Sequence, residues 1–418
     1  MFVVLQRMLA RLIERGDLEV VDPGGTVHRF GDGSGTGVRI RITSQAAAAR
    51  IVLNPDLHLG ECYMNGELVV ERGSIYDLLS LILGNLHNRP APATVNFVSR
   101  MRRLTRRLHQ YNPISRARRN VAHHYDLSRE LYETFLDADR QYSCAYFESP
   151  KASLEEAQLA KKRHLAAKLM IEPGMRVLDI GSGWGGLGLY LAEICEAEVV
   201  GVTLSTEQHA FSRERAARAG SRVNVDFRLM DYRELDGTFD RIVSVGMFEH
   251  VGIVHYPAFF AKVKSMLTPD GIALLHSIAR SDGPNATGWW IAKYIFPGGY
   301  VPALSEVVPV IERSGLYITD VEILRLHYAE TLKEWRRRFT AQHDRVTALY
   351  DERFFRMWEY YLASSETAFR QAGMNNFQIQ MSHHQGVLPI TRNYIAEEEE
   401  RLRAIDSRRP RIKSVPAE

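Results

Sequence analysis

Apolar side chains recur at helical spacing at the start of the chain and then alternate with polar ones in short runs. Residues 2–16 place them every three or four positions, which predicts an amphipathic helix, and residues 75–83 repeat that spacing. Three shorter runs predict strands, at 37–42, 49–53 and 66–70. Together these elements predict a small α+β unit that ends near the proline-containing loop at 88–92.

From about residue 170 the pattern changes to apolar runs that alternate with helical segments. Five runs predict strands, at 176–180, 198–203, 223–228, 239–245 and 271–276, the last of them after a turn at 268–271. Helical segments at 187–192 and 206–219 connect the first three strands. Alternation of this kind predicts an α/β domain with a mainly parallel sheet.

The first of these strands runs directly into a glycine-rich turn, Asp179-Ile180-Gly181-Ser182-Gly183-Trp184-Gly185-Gly186. Small residues there let the backbone turn sharply and approach a bound molecule closely. A dinucleotide site would need an acid about 20 residues after the glycines, but the second strand ends in Thr203 and the next acid is Glu207 on a helix. S-adenosylmethionine instead needs a carboxylate near its methionine ammonium, which Asp179 can supply. We therefore predict an S-adenosylmethionine site.

Composition limits the classes to which the protein can belong. Its 418 residues favour two domains, and 45% hydrophobic with 25% charged residues is ordinary for a globular chain. The cysteines, Cys62, Cys144 and Cys195, form no paired motif, which argues against a disulfide framework or zinc site and suits a reducing cytoplasm. The N-terminus does not resemble a signal peptide, and no run approaches the ~20 apolar residues of a membrane span. Membrane contact is therefore expected to be peripheral.

Net charge is only +3, but the basic residues are unevenly spread. Residues 100–119 contain eight arginines and no acid. Such a block attracts phosphate, in nucleic acid or in anionic lipid headgroups, and it equally fits a solvated linker helix. The sequence leaves these alternatives open. His123 and His124 lie just beyond the block, but no further ligands follow at metal-site spacing, so no metal is predicted.

Several separate motifs are shared with one known enzyme family. They are Asn120–Asp126, Gln141–Phe147, Val202–Ser205, Phe248–Gly252, Leu275–Ile278, His327–Leu332 with Trp335, and Asn376–Gln378. Over residues 110–400 the chain resembles the cyclopropane-fatty-acyl-phospholipid synthases and the related mycolic acid cyclopropane synthases. The resemblance implies a class I methyltransferase fold, Rossmann-like with a mainly parallel sheet, and a small N-terminal α+β lipid-binding domain.

The resemblance also divides the chain. Residues 1–92 correspond to the N-terminal domain, which the mycolic acid enzymes lack and which favours intact phospholipid as substrate. Residues 93–120 are the arginine-rich linker, 121–400 the catalytic domain with acyl-channel insertions, and 401–418 a polar tail. The expected enzyme is cytoplasmic and peripherally associated with the inner face of the membrane. Its partner is the bilayer surface with unsaturated acyl chains and not nucleic acid, and a homodimer is left open.

The resemblance implies methyl transfer from S-adenosylmethionine to the cis double bond of an unsaturated acyl chain. A bound bicarbonate then removes a proton from the new methyl group, and the cyclopropane ring closes. In this sequence the bicarbonate ligands would be Cys144, Glu249, His276, the main chain near Ile278, and Tyr328. These residue types suit the task, because a buried anion needs hydrogen-bond donors and its hydroxyl needs an acceptor.

Expected cofactor contacts follow from the same resemblance and from the glycine turn. They are Tyr142, Ser143, Asp179, Gly181, Gly183, Gly185, Thr203, Ser205, Gln208, Asp231 and Tyr232. Residues 288–297 interrupt the strand pattern with an apolar run, either as core or as an acyl-channel wall or membrane-touching lid. Three other functions stay open: methyl branching without ring closure, N-methylation of a small molecule, and lipid recognition without catalysis.

Overall fold

The computed structural model describes residues 1–86 and 127–408, which belong to two compact units. The first unit combines residues 1–86 with Ala286–Pro297 and Leu332–Met374. The second contains the other described residues. The arginine-rich segment, the motif with His123 and His124, and residues 409–418 lie outside the described ranges. No helix within those ranges is long and apolar enough to span a membrane.

The first unit is built around a small mixed sheet. Its strands are β1 (Leu18–Val21), β2 (Val27–Phe30), β3 (Val38–Ile42) and β4 (Leu68–Arg72), in the order β2-β1-β3-β4. β1 and β3 are parallel, whereas β2 and β4 pair antiparallel with their neighbours. Its helices are Phe2–Leu12, Gln45–Leu53, Pro55–Met64, Ile75–Leu86, Trp289–Tyr294, His343–Leu349 and Glu352–Gln371. The last three come from residues 121–400, where the sequence predicts only the catalytic domain.

One strand predicted from the sequence is wrong, because residues 49–53 belong to the helix Gln45–Leu53. The Ser44 side chain accepts a hydrogen bond from the Ala47 N–H at 3.1 Å and caps the first turn. Four consecutive alanines follow Gln45, and alanine has the highest helix propensity of any residue. The capped alanine run therefore decides the conformation of the apolar residues after it.

The apolar run at 288–297 packs within the first unit. Trp290 is only 2% exposed, and its ring centroid lies 4.6 Å from that of Tyr360. A Cβ at Gly60 would lie 2.5 Å from the Trp290 indole nitrogen, so glycine is needed for this close approach. Core packing therefore explains Trp290, whereas Trp289 beside it is 45% exposed.

The second unit is built on a seven-stranded sheet. Its strands are β5 (Arg176–Ile180), β6 (Glu198–Thr203), β7 (Asn224–Leu229), β8 (Phe239–Val245), β9 (Leu267–Arg280), β10 (Tyr317–Ile323) and β11 (Met374–Ser382), in the order β10-β11-β9-β8-β5-β6-β7. Pairing among β5 to β9 is parallel, and β10 pairs antiparallel with β11. The predicted mainly parallel α/β sheet is confirmed.

Helices connect and cover these strands. They are Arg129–Glu133, Leu154–Leu169, Gly186–Ile194, Thr206–Ala219, Tyr256–Met266, Leu304–Ser314, Asn393–Arg408 and the first part of His327–Thr340. The first residues of the predicted polar tail, 401–408, continue the last helix, and Leu402 there is fully buried. The predicted turn at 268–271 is also wrong, since β9 runs through it with a shift in its register against β8.

The place of β5 between β6 and β8 determines where a ligand can bind. The chain passes from β5 to β6 and β7 on one side and then to β8 and β9 on the other. Open α/β sheets bind ligands in the crevice at the carboxyl ends of the strands where such a reversal occurs. Leu178 and Ile180 enter one apolar cluster and Val177 enters another, so alternate residues of β5 fill both faces of the sheet.

We expect Trp290→Ala to destabilise the protein by about 3–5 kcal/mol, because it removes a large buried side chain and leaves a cavity. Trp289→Ala removes the same side chain from a half-exposed position and should cost less than about 1 kcal/mol. Urea unfolding followed by circular dichroism measures both changes. Equal losses in the two variants would contradict the assignment of Trp290 to the core.

Candidate active site

The chain turns sharply after β5 because three glycines hold backbone angles that other residues rarely adopt. Gly181, Gly183 and Gly185 have φ angles of +87°, +54° and +81°. The Gly181 N–H donates to the Val202 carbonyl at 2.9 Å, which fastens the turn to the end of β6. A Cβ at Gly181 would lie 2.7 Å from the side chain of Met247, so no larger residue fits there.

A cavity lies beside this turn, at the carboxyl ends of β5 to β8. Nine of the predicted cofactor residues line it: Tyr142, Ser143, Asp179, Gly181, Gly183, Thr203, Gln208, Asp231 and Tyr232. They come from the loop before the helix Leu154–Leu169, the turn after β5, the end of β6 with its following helix, and the segment after β7. The fold thus brings together residues that lie far apart in the sequence.

Gly185 and Ser205 do not line the cavity, and we reassign both. A Cβ at Gly185 would lie 2.7 Å from that of Ser212, so the glycine allows close helix packing. The Ser205 side chain accepts a hydrogen bond from the Gln208 N–H at 3.3 Å and caps the helix Thr206–Ala219. Both residues support the cavity wall from outside.

Asp179 is the buried acid of the cavity. It is 2% exposed, and its Oδ2 atom has no hydrogen-bond partner among the described residues. Burial raises the pKa of this carboxyl to about 7, against an opposing effect of the Lys161 ammonium. An unpartnered buried carboxylate is costly, and a cationic ligand group would offset that cost. The methionine ammonium of S-adenosylmethionine is such a group, so these residues fit that cofactor.

Asp231, another acid of the cavity wall, is held by an arginine. The Arg233 guanidinium donates to its two carboxylate oxygens at 2.8 and 2.6 Å. The ring of Tyr232 packs edge-on against Phe259, with centroids 5.5 Å apart. These contacts fix a carboxylate and an aromatic ring beside the same wall, in positions that suit an adenosine moiety.

The cavity is also lined by residues that the sequence analysis did not select. Among them are Arg140, Gln141, Lys161, Trp184 and His250. Gln141 and His250 lie within the family motifs and Arg140 directly precedes one, so the motifs themselves pointed to these residues. Lys161 gave no such signal, because charged residues in a helix predict a solvent-exposed face.

Three of the predicted bicarbonate ligands lie together beyond the cavity. The Ile278 N–H donates to Glu249 Oε1 at 2.5 Å, and His276 lies two residues earlier on the same face of β9. Burial raises the pKa of Glu249 to about 7 and lowers that of His276 to about 3. The imidazole is therefore neutral at pH 7, and the carboxyl is near its midpoint.

Two side-chain amides hold the His276 ring. The Gln378 amide nitrogen lies 3.2 Å from Nδ1 and that of Asn376 lies 3.4 Å from Nε2. A neutral imidazole has one donor and one acceptor, so one of these amides must present its oxygen to the ring instead. Bicarbonate could bind a nitrogen of His276 only by displacing one of these amides.

Cys144 and Tyr328 belong to two segments that a hydrogen bond joins. The N–H of Ala145 donates to Thr331 Oγ1 at 3.0 Å, and Thr331 lies one helical turn after Tyr328. Cys144 is 1% exposed, and burial raises the pKa of its thiol, so the sulfur stays protonated. None of the five predicted ligands lines the cofactor cavity, but Ser143 and His250, each adjacent to one of them, do.

Comparison with known proteins decides the family. Residues 113–379 match the mycolic acid cyclopropane synthetase family, and residues 4–89 match a domain of unknown function. The chain belongs to the mycolic acid cyclopropane synthetase family. It is therefore an S-adenosylmethionine-dependent methyltransferase of the kind that makes cyclopropane or methylated fatty acids.

Members of the cyclopropane synthetase family match much of the chain. The cyclopropane-fatty-acyl-phospholipid synthase of Escherichia coli (strain K12) is 38% identical over 82% of this chain and 87% of its own length. The tuberculostearic acid methyltransferase UfaA1 of Mycobacterium tuberculosis is 35% identical over 90% of each chain. The structure of the cyclopropane synthase MmaA2 from Mycobacterium tuberculosis aligns with a TM-score of 0.61 at 32% identity, covering 65% of this chain and 99% of MmaA2.

We expect Asp179→Asn to weaken binding of S-adenosylhomocysteine and to stabilise the ligand-free protein. The folded-state pKa near 7 exceeds the ordinary 3.8, so wild-type stability falls as the pH rises from about 4 to about 7. Above that range the variant should be more stable by about 2–4 kcal/mol. Urea unfolding at about pH 5 and about pH 8, with calorimetric ligand titration, measures both effects.

Asp226→Asn is the matched control for this variant, because Asp226 is 59% exposed on β7. It should change neither ligand affinity nor the pH dependence of unfolding. A loss of stability at about pH 8 in Asp179→Asn would show that burial of the charged carboxylate does not destabilise the protein.

Proposed function

We propose that the enzyme converts unsaturated acyl chains of membrane phospholipids to cyclopropane chains. S-adenosylmethionine supplies the methyl group, and a bicarbonate bound beside Glu249 accepts the proton that is lost when the ring closes. Membership of the synthetase family supports the reaction class. The single observation that supports ring closure is that Glu249 Oε2 is buried without a hydrogen-bond partner among the described residues.

Glu249 offers one carboxylate oxygen to a ligand. Its Oε1 is held by the Ile278 N–H, whereas Oε2 is buried and has no partner among the described residues. A bicarbonate hydroxyl can donate to Oε2, and its other oxygens can accept from the Cys144 thiol and the Tyr328 hydroxyl. Such a site holds a proton acceptor ready, which recognition of a lipid alone would not need.

The surroundings of Glu249 also exclude water. Cys144 and His276 are each 1% exposed, and Glu249 and Tyr328 are each 8% exposed. The cation that forms on the acyl chain is short-lived and would react with water, so a dry site protects it until the proton has left. The burial that raises the pKa of Glu249 therefore also protects the cation from water.

Coverage of the relatives supports phospholipid as the substrate. The match to the Escherichia coli synthase covers 82% of this chain, which is more than residues 113–418 could supply. It therefore reaches into the N-terminal residues, whereas cyclopropane mycolic acid synthase 3 of Mycobacterium tuberculosis matches only 60% of the chain. We infer that the N-terminal residues bind lipid and that the enzyme works peripherally on the inner, cytoplasmic face of the membrane.

Methyl branching without ring closure is a second candidate. The relative named a tuberculostearic acid methyltransferase matches 90% of this chain, and the length of that match favours this alternative. The two outcomes share the methyl-transfer step and differ in which proton leaves. Ring closure removes a proton from the transferred methyl group, and branching with a shifted double bond removes one from the acyl chain.

One experiment distinguishes these products. The enzyme is incubated with cofactor that carries a CD₃ group and with vesicles of unsaturated phospholipid, and the acyl chains are analysed by mass spectrometry and proton NMR. Ring closure should leave two of the three deuterium atoms and give upfield cyclopropane protons. Retention of all three deuterium atoms in a branched chain would show that ring closure is wrong.

We expect Glu249→Gln to bind S-adenosylhomocysteine like wild type but to lose turnover by about 10²–10⁴-fold, because the amide cannot hold the proton acceptor. Wild-type turnover should also fall as the pH drops below about 7, where Glu249 becomes protonated. Vesicle assays of methyl incorporation measure both. The exposed control Glu234→Gln should keep full turnover, and unchanged turnover in Glu249→Gln would refute the bicarbonate site.

A further inference from the structure

Lys161 is a buried ammonium group in the wall of the cofactor cavity. It is 1% exposed, and it lies in the middle of the helix Leu154–Leu169. Its Nζ donates to Gln141 Oε1 and to Ser143 Oγ, each at 2.7 Å. An ammonium has three donors, so these two neutral acceptors leave one hydrogen for a ligand.

The other cations of the cavity wall already have carboxylate partners. Arg140 is ion-paired with Glu133, and Arg233 makes a bidentate pair with Asp231. Within residues 1–86 and 127–408, no carboxylate lies within ion-pair distance of Lys161. Burial lowers the pKa of Lys161 against an opposing effect of the Asp137 carboxyl, which lies beyond ion-pair distance and does not line the cavity. An anionic group of a ligand would therefore stabilise this buried ammonium.

The cavity therefore presents two opposite charges that lack partners within it. Asp179 provides a carboxylate with a free buried oxygen, and Lys161 provides an ammonium with a free hydrogen. Asp179 and Lys161 line the same cavity, so one ligand can contact both. An amino-acid zwitterion has the complementary pair of charges on one carbon atom.

We propose that Lys161 binds the carboxylate of the methionine moiety of the cofactor, opposite the ammonium that Asp179 faces. Lys161 is then a specificity-determining residue for an amino-acid-bearing nucleoside. It also positions the loop that carries Gln141 and Ser143, since it donates to both. The inference rests on the assignment of the cavity to the cofactor but not on ring closure.

The test compares ligands that differ only in the carboxylate. S-adenosylhomocysteine carries it, and the decarboxylated analogue S-adenosyl-3-thiopropylamine keeps the ammonium and the nucleoside. Isothermal titration calorimetry of the full chain with each ligand gives the ratio of their dissociation constants. We expect wild type to bind S-adenosylhomocysteine about 10- to 100-fold more tightly, the effect of one charge-assisted hydrogen bond.

In Lys161→Met that preference should disappear, because S-adenosylhomocysteine loses affinity and the decarboxylated analogue does not. Lys161→Arg should keep part of the preference. The control is Lys162→Met, since Lys162 is buried and pairs with Asp139 at 2.6 Å but does not line the cavity. It should keep the wild-type ratio.

Several outcomes would overturn the proposal. Equal loss for both ligands in Lys161→Met would mean that Lys161 only positions the loop. Selective loss in Arg140→Met instead would make Arg140 the carboxylate partner. If Lys161→Met does not fold, wild type alone decides, because equal affinity for the two ligands excludes any carboxylate contact. Failure of ring closure with an intact ligand preference would leave this inference standing.

Discussion

The removal of Asp179 and Lys161 from water is the constraint around which the second unit is organised. Each group alone would cost several kcal/mol to bury as an ion, and the helix and strand that carry them provide no counter-ion within ion-pair distance. The fold accepts this cost at the carboxyl end of β5, where the order of the parallel strands reverses. The ligand-free protein is less stable as a result, but its site is already arranged to bind a zwitterion.

Local sequence holds these charges in place. The helix with Lys161 begins at a capping box formed by Ser153 and Glu156, which fixes its start and hence the depth of the lysine. The strand with Asp179 ends in the glycine turn, whose backbone angles set the distance between the acid and the ligand. The capping box and the glycine turn both fix the backbone, and the backbone in turn positions the side chains of Lys161 and Asp179.

Much of this could be predicted from the sequence, and the failures have physical causes. Short apolar runs located β5 to β8 well, because strands of a parallel sheet are covered on both faces. The same reasoning failed at residues 49–53, where a serine cap and an alanine run outweigh local apolar character. Lys161 was missed because periodicity assigns charged helical residues to solvent, whereas this helix is buried on nearly all sides. Glu249 and Ile278 are 29 residues apart, and only resemblance to a family related them before the structure did.

The first unit combines three separate stretches of chain, and this has a consequence for synthesis. Helix Glu352–Gln371 packs on Pro55–Met64 and Ile75–Leu86, so the N-terminal elements lack a neighbour until residue 371 has left the ribosome. Contacts at such long sequence separation close slowly because loop entropy must be lost first. The helices Pro55–Met64 and Ile75–Leu86 must therefore wait, with the faces that contact Glu352–Gln371 uncovered, while almost the whole chain is made. A nascent chain of this protein is expected to depend on chaperones over that interval.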